Sequence, residues 1–347
     1  MQGETGMHLS RSTGLASTPA AIAALALSAT AAATSAAAQE RVVFGTNWLP
    51  QAEHGGFYQS VADGTYEACG LDVEILPGGP QVNNRALLMA GRIDYYMGGN
   101  FLQLFNAVEQ DIPIVAVMAA FQKEPQVILS HPGVADTWEE LRELDLLIGD
   151  AGYTSYFQWM IAAHGFRSEQ RQVYTFNPAP FLANDQLGMQ GFLSSEPFAV
   201  EQEGGFVPNV FLIANYGWDT YSTMVEVMRP TLEERPEQVQ CFVEGSILGW
   251  YNFLYGDNEA AIALILEANP DMSREKIDFA IEKMIEEGIV DSGNTLELGI
   301  GTMSMERIES FFDSMVDAGV VDPDIDWTQT VDLRFVGQGL GLELRPE

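Results

Sequence analysis

The amino-acid sequence predicts an α/β protein made of two lobes that crossing strands connect. Strand-like and helix-like segments alternate between residues 41 and 214, and four long helical patterns follow them. Alternation of this kind is typical of parallel sheets with helices on their faces. Because the alternating region divides into two series, we expect two sheets, with the final helices returning to the first of them.

The first series contains three strands, each followed by a turn and a helix. Runs of β-branched and aromatic residues predict these strands at residues 41–46, 71–76 and 93–97. The helices are predicted at residues 53–70, at residues 83–90 and from Phe101 onward. Glycines end the first two helices, and a turn at residues 98–100 leads into the third.

The same sequence signals predict the second series and the C-terminal helices that follow it. The predicted strands are residues 114–121, 126–130, 146–149, 172–176, 190–194 and 211–214. The predicted helices are residues 137–144, 157–165, 180–187, 231–255, 258–269, 273–287 and 305–318.

Two crossings between the lobes are expected, near residues 121–126 and 216–223. They make lobe 1 discontinuous, with residues 39–124 and 221–347, and they leave residues 125–220 as lobe 2. Ligands of open α/β sheets bind beyond the carboxyl ends of the strands. We therefore expect a single cleft between the lobes and a hinge at the crossings.

Residues 1–38 have the pattern of a secretory signal peptide. Arg11 precedes an alanine- and leucine-rich stretch, and small residues end this segment at Ala38, after which cleavage is expected. The stretch is short and rich in alanine for a membrane span, which needs roughly 20 strongly apolar residues. An uncleaved lipid anchor or a disordered tail is the alternative. The interpretation implies export to the periplasm.

The composition limits the class of partner. The 16 Lys and Arg residues against 49 Asp and Glu residues give a formal charge of −33. A surface this acidic argues against binding to nucleic acids or to anionic membranes, and it suits a salty environment. The 309 residues after Ala38 (347 − 38) suffice for two ordinary domains.

Cysteine and histidine usage indicates no metal site and no disulfide scaffold. Cys69 and Cys241 are the two cysteines of the sequence, and buried free thiols are expected, with one bridge as the alternative. The sequence has no HExxH or CxxC motif, and no nucleophile elbow or phosphate-binding loop. We therefore expect a binding protein rather than an enzyme, without a cofactor.

Six strand ends are predicted to face the cleft, and they supply most of the candidate ligand-binding residues. The candidates are Asn47, Trp48, His54, Tyr58, Gly79, Gly99, Asn100, Tyr153, Thr154, Ser155, Asn177 and Glu196.

Aromatic candidates suit a planar ligand. Trp48 lies among turn residues, where its ring can stack on a ligand, although a core role is the alternative. His54 can hydrogen-bond a ring nitrogen or a carbonyl, or it can cap a helix. Tyr58 follows on the same helix, where a core position is the alternative.

The polar candidates divide by charge. Thr154 and Ser155 begin a helix, so they can help to bind an anion or a carbonyl oxygen, or they can simply cap the helix. Asn100 offers a donor and an acceptor to a heteroaromatic edge. Glu196 follows a strand and can accept a hydrogen bond from an amine. Because a carboxylate repels anions, Glu196 favours an amine-bearing ring over a sulfonate.

Residues 47–75 (NWLPQAEHGGFYQSVADGTYEACGLDVEI) resemble the start of periplasmic binding proteins for nitrate, sulfonates, taurine and the pyrimidine precursor of thiamine. The similarity is greatest to the thiamine-precursor branch, which begins with Asn/Asp-Trp, a proline, a histidine and a later Gly-Leu-Asp-Val phrase. Weaker similarity lies at residues 88–99, 195–199 and 315–336. The resemblance implies the type II periplasmic binding fold and an ABC transporter permease and ATPase as partners.

Three functions follow for testing. The first is capture of a small nitrogen heteroaromatic, such as a thiamine pyrimidine precursor, for an ABC importer. The second is binding of a sulfonate, taurine or nitrate-like anion. The third is an enzyme similar to the eukaryotic thiamine-pyrimidine synthase, whose catalytic histidine corresponds to His54. That enzyme also has a cysteine-rich run, which this sequence lacks.

Overall fold

Two five-stranded sheets organise the chain. The computed structural model describes residues 39–346, so the predicted signal peptide lies outside the described residues. The strands are β1 (Glu40–Gly45), β2 (Leu71–Leu76), β3 (Tyr95–Asn100), β4 (Ile114–Phe121), β5 (Gln126–Ser130), β6 (Asp145–Ile148), β7 (Arg171–Val173), β8 (Leu187–Phe192), β9 (Asn209–Leu212) and β10 (Ser222–Met228).

The first sheet has the order β2-β1-β3-β10-β4, and the second has the order β7-β6-β8-β5-β9. Both sheets are mixed, which corrects the expectation of parallel sheets. In the first sheet β10 runs antiparallel to β3 and β4, and in the second β5 runs antiparallel to β8 and β9. Both exceptions come next to the crossings, where the chain enters a lobe from the other one.

Strand β10 is absent from the prediction, although it lies inside the first sheet. Its sequence, STMVEVM, carries Glu226 between valines and has few strongly β-forming residues at its ends. Pairing with both β3 and β4 buries this strand, Glu226 included. Tertiary pairing therefore decides its conformation.

The helices cover both faces of the sheets. They are α1 (Gly55–Ala62), α2 (Thr65–Ala68), α3 (Asn84–Met89), α4 (Phe101–Glu109), α5 (Asp150–Tyr153), α6 (Tyr156–His164), α7 (Ala179–Ala183), α8 (Glu196–Gly204), α9 (Arg229–Glu234), α10 (Pro236–Tyr255), α11 (Glu259–Ala268), α12 (Arg274–Glu286), α13 (Thr295–Leu298) and α14 (Met305–Asp317).

The long C-terminal helical patterns are confirmed by α10, α11, α12 and α14. The first of them breaks before Pro236, which cannot continue a helix. The predicted helix at 53–70 is also divided, because Gly64 adopts a left-handed conformation with φ +75° between α1 and α2.

Several other boundaries differ from the prediction. Residues 98–100 are the end of β3 rather than a turn, and residues 137–144 contain only a 3-10 turn at Glu140–Glu143. Leu187 starts β8 rather than ending a helix, and Glu196 starts α8 rather than ending a strand. Short segments with few apolar residues give weak periodic signals, so these errors cluster in the second lobe.

Aromatic residues dominate the core of the first sheet. Phe242 of α10 stacks on Tyr66 and Tyr95, with ring centroids 5.1 and 4.3 Å apart. Trp250 packs edge-on against Phe57 and Phe121. These contacts fix α10 against α1 and the sheet, and they hold the segment after β1 in position.

Cys69 and Cys241 form a disulfide, with their Cα atoms 5.9 Å apart. This corrects the expectation of buried free thiols. Cys69 is exposed after α2, and Cys241 lies on α10. The bond therefore ties α10 to the amino-terminal end of β2, at the edge of the sheet opposite the cleft.

Two segments connect the lobes, residues 122–125 and 213–221. Arg307 at the start of α14 contacts both of them. Its Nη2 donates to the carbonyl oxygen of Gln122 and to Oδ1 of Asp219, each at 2.6 Å, and its guanidinium lies 4.1 Å from the ring centre of Tyr221. The lobe boundaries predicted at 124/125 and 220/221 lie in these segments and remain predictions.

Within residues 39–346, no helix combines the length and apolar character that a membrane crossing requires.

Candidate functional site

The candidate site lies where the carboxyl ends of strands from the two sheets face each other. Trp48, after β1, has its ring centre 4.7 Å from that of Phe176, which follows β7. In a second contact, the hydroxyl of Ser194, after β8, donates to the buried carboxylate of Glu53. The two lobes therefore contact each other across a shared cleft.

Glu124 lies on the first crossing and is a buried ionisable group that the prediction missed, as is Glu53. Its carboxylate accepts hydrogen bonds from Nδ2 of Asn100 at 3.0 Å and from the indole N–H of Trp218. Burial raises the pKa of Glu124 to about 7, although both donors oppose the shift. The one sequence signal was a lone acidic residue beside Pro125, between two apolar strands.

Two further carboxyl groups border the same cleft. Burial raises the pKa of Glu53, against the opposing effect of the Ser194 hydroxyl. Burial also raises the pKa of Glu196, and the nearby charge of Glu53 adds to that shift. Oε2 of Glu196 accepts a hydrogen bond from the backbone N–H of Phe192 at 2.7 Å. One carboxyl group thus comes from each lobe and one from the crossing.

Two buried polar atoms at this site lack a partner among the described residues. They are Oδ1 of Asn100 and Nδ1 of His54. Burial lowers the pKa of His54 to about 3, so its imidazole is neutral at physiological pH. Since buried polar groups in native proteins are nearly always paired, these atoms are suited to a ligand or water.

The second lobe contributes an amide and two phenols. Oε1 of Gln190 accepts from the backbone N–H of Gly149 at 2.6 Å and from the hydroxyl of Tyr156 at 3.0 Å. Burial raises the pKa of Tyr156 and of Tyr174, and the charge of Glu196 contributes to both shifts. Both phenols are therefore neutral groups beside the carboxyl of Glu196.

The structure thus brings several predicted residues to one cleft. Trp48, Asn100 and Glu196 carry the contacts described above, His54 is buried beside Glu53, and Asn47 is half-buried next to Trp48.

Other predicted residues have local roles. The hydroxyls of Thr154 and Ser155 donate back to carbonyl oxygens of Asp150 and Ala151, so neither caps α6. Oδ1 of Asn177 accepts from the backbone N–H of Ala179 and starts α7, and its side chain is exposed.

Tyr58 and Tyr153 also lie apart from the carboxyl groups. Tyr58 lines a separate groove of about 370 Å³ beside Ile75 and Leu264. The ring of Tyr153 lies under the guanidinium of Arg171, 4.4 Å from its centre.

The crowded glycines are Gly78 and Gly98, which directly precede the predicted Gly79 and Gly99. A Cβ atom on Gly78 would overlap the backbone of residues 46–48, and one on Gly98 would overlap the side chain of Glu226. A Cβ atom on Gly79 would lie 3.6 Å from its nearest neighbour, Cδ2 of Leu49, and one on Gly99 would meet the flexible end of Gln103, so both positions are less crowded.

In the part of the chain that the structure describes, no cluster of three or more His, Cys, Asp or Glu side chains is placed to hold a metal ion.

Solved structures with the same architecture are similar along nearly their whole length. The aliphatic sulphonate binding protein SsuA of Escherichia coli has a TM-score of 0.62 at 14% identity, covering 85% of this chain and 92% of that one. The nitrate-binding protein NrtA of Synechocystis PCC 6803 has a TM-score of 0.59 at 13% identity, covering 88% of each. The desulfurization enzyme DSZB has a TM-score of 0.55 at 11% identity, covering 88% of this chain and 100% of that one. Identities this low show the fold alone.

Two lobes, two mixed sheets and a hinged cleft are the features of the type II periplasmic binding protein fold, which this chain adopts. No curated protein matches the sequence. The family model described as NMT1/THI5 like matches residues 51–260, a region that spans Glu53, Asn100, Glu124 and Glu196. The chain belongs to the NMT1/THI5-like family.

Proposed function

We propose that the protein is the extracytoplasmic solute-binding component of an ABC importer, and that its ligand is a small nitrogen heteroaromatic that carries an amine. A thiamine pyrimidine precursor is the first example. The observation that carries the proposal is the set of carboxyl groups around a cleft whose entrance has aromatic rings: Glu53 and Glu124 are buried, and Glu196 is half-buried.

The polar atoms at the cleft complement such a ligand. An amino group can donate to the carboxylates and to the unpaired Oδ1 of Asn100. A ring nitrogen can accept a hydrogen bond from the neutral imidazole of His54, provided that the imidazole carries its proton on the unpaired Nδ1. The ring of Trp48 offers a surface for stacking.

The same groups argue against an anionic ligand. A sulfonate or nitrate among three carboxyl groups would meet charge repulsion, or would require protons on those groups. SsuA and NrtA are named for such anions, but their identities with this chain are only 14% and 13%. Their ligands therefore do not transfer to this cleft.

Binding without chemical turnover is part of the proposal. Both cysteines are joined in a disulfide at the opposite edge of the sheet, so neither is a thiol at the cleft. The resemblance to the pyrimidine synthase rests on His54, whose cysteine-rich partner segment has no counterpart here. DSZB shares the fold at 11% identity, which supports no activity.

The proposed partners are a permease and an ATPase, because the similar structures include components of import systems. Export to the periplasm agrees with the signal-like pattern of residues 1–38.

A thermal-shift screen tests the function first. The melting temperature of the purified protein is measured with vitamins, pyrimidines, sulfonates and amino-acid derivatives. The stabilising compound is then recovered, and its mass is determined by mass spectrometry. We expect stabilisation by an amine-bearing heteroaromatic that is recovered unchanged. A chemically altered product, or stabilisation by sulfonates alone, would overturn the proposal.

Two substitutions test the ligand class by calorimetry with 4-amino-5-hydroxymethyl-2-methylpyrimidine. Trp48→Ala should lose about 2 kcal/mol, which weakens binding about thirtyfold. Glu196→Gln should also weaken binding, whereas Glu203→Gln, an exposed change on the same helix, should not. Tighter binding in Glu196→Gln would favour an anionic ligand.

A further inference from the structure

Phe176 combines two unfavourable properties. Its backbone has φ +62°, in the left-handed region that large side chains rarely adopt. Its side chain is also 43% exposed, although phenylalanine usually lies in the core. Glycine or asparagine would fit this loop position with less strain. Strain of this kind that persists at a cleft indicates a functional constraint on the side chain.

The contacts of Phe176 connect the two lobes. Its ring centre lies 4.7 Å from that of Trp48 in the first lobe and 5.3 Å from that of Tyr174 in its own lobe. Its edge lies over Gly149, where a Cβ atom would be 3.4 Å from Cζ of Phe176. The left-handed turn thus directs the ring across the entrance of the cleft.

The neighbouring residues do not share this role. Asn177 turns away to start α7, and Val173 is exposed at the end of β7. Because Trp48 and Phe176 are in direct contact, no ligand ring fits between them in this state. The pair therefore covers the cleft rather than enclosing a ring.

We propose that Phe176 and Trp48 form an aromatic gate that closes the cleft and limits the rate at which a bound ligand leaves. The identity of the ligand rests on the proposed function, but the gating of the cleft does not.

Four variants separate gating from folding. Phe176→Gly and Phe176→Asn remove the ring and tolerate the left-handed backbone, so both should fold. Phe176→Tyr retains the ring, and Val173→Ala removes an exposed apolar side chain outside the gate. We expect the melting temperatures of the Gly and Asn variants to stay within about 3 °C of wild type or to rise.

Hydrogen exchange tests the gate without any ligand. Residues 51–56 and 190–198 hold Glu53, Ser194 and Glu196 on the two walls of the cleft. Their amides should exchange several-fold faster in Phe176→Gly and Phe176→Asn, and at the wild-type rate in Phe176→Tyr and Val173→Ala. Unchanged exchange in all four variants would overturn the gate, whatever the ligand is.

Stopped-flow dissociation of 4-amino-5-hydroxymethyl-2-methylpyrimidine gives the second readout. Loss of the ring should raise the dissociation rate about tenfold, and Phe176→Tyr should stay within about twofold of wild type. Equal dissociation rates in wild type and Phe176→Gly would contradict the gate while leaving the proposed function intact. If wild type does not bind this pyrimidine, the proposed ligand is wrong, and hydrogen exchange still decides the gate.

Discussion

Some residues of the cleft can be predicted from the sequence, and others cannot. Trp48, Asn100 and Glu196 were predictable because each lies at or just beyond the carboxyl end of a strand, and such ends meet at one edge of a sheet. Glu124 and Phe176 were not predicted. The role of Glu124 depends on donors from Asn100 and Trp218, which are distant in sequence, and that of Phe176 depends on a backbone angle.

Glu124→Gln tests the carboxyl group on the crossing. A hydrogen bond to a charged group contributes about 1.5–3 kcal/mol, so this substitution should weaken binding of the aminopyrimidine at least about tenfold. Titration calorimetry at pH 7.5 measures the change, with Glu203→Gln as the exposed control. Wild-type affinity in Glu124→Gln would remove this carboxyl group from the site.

The stability of the ligand-free protein should depend on pH through Glu124. Because burial raises its pKa to about 7, the folded protein holds this proton more tightly than the unfolded chain does. The associated stability is fully present below the unfolded pKa of about 4.3 and is lost as the pH rises through about 7. Glutamine cannot ionise, so the stability of Glu124→Gln lacks this pH dependence. The free energy of unfolding of Glu124→Gln minus that of wild type should therefore increase by about 2–3 kcal/mol from pH 5 to pH 8. Urea unfolding at both pH values measures this, and a constant difference would refute the assignment.

Helices and strands position the residues of the cleft, and the local sequence predicts some of these elements better than others. The four long C-terminal helices follow a clear 3.6-residue pattern. Strand β10 has no comparably clear pattern of its own, because a buried Glu226 interrupts its apolar residues. Gly98 provides the space for that side chain, and it lies in β3, which also carries Gly99 and Asn100 to the cleft.

Gly98→Ala and Gly99→Ala form a matched pair in β3. The methyl group at position 98 overlaps the carboxyl group of Glu226, which is fully buried. We expect Gly98→Ala to lower the free energy of unfolding by about 3 kcal/mol. Gly99→Ala meets the mobile end of Gln103, so its effect should stay below about 1 kcal/mol. Equal losses in urea unfolding would contradict this account of β3.

The disulfide stabilises the first lobe without contributing to the cleft. It joins residues 172 positions apart, and loops of this length give a large entropic effect in the unfolded chain. Replacing Cys69 and Cys241 with serine should lower stability by about 2–5 kcal/mol. Ligand affinity should be unchanged, because the bond lies at the opposite edge of the sheet. A parallel loss of affinity would show that the disulfide also shapes the cleft.

At the scale of the whole molecule, the two-lobe arrangement follows from the sequence, but the strand directions do not. Alternating segments predict two α/β units, and the predicted crossings near residues 121–126 and 216–223 overlap the segments 122–125 and 213–221 that connect the two sheets. Strands β5 and β10 run antiparallel because the chain enters each lobe from the other one at these points. That reversal is a property of the assembled lobes and leaves no local pattern.

Arg307 connects both crossings, so its removal should loosen the hinge. Its hydrogen bonds to Gln122 and Asp219 hold the two segments together. We expect Arg307→Ala to increase the radius of gyration of the ligand-free protein in small-angle scattering, whereas Arg334→Ala, which removes an exposed pair with Asp332, should not. If Arg307→Ala scatters like wild type, the arginine does not set the opening of the lobes.

We propose that this cleft selects an amine-bearing ring over an anion. Calorimetric titration of wild-type protein at pH 7.5 with 4-amino-5-hydroxymethyl-2-methylpyrimidine and, separately, with taurine compares the two classes directly. The carboxyl groups of Glu53, Glu124 and Glu196 at the cleft predict one-to-one binding of the pyrimidine and no heat from taurine. Saturable binding of taurine with no response to the pyrimidine would show that the cleft selects an anion instead.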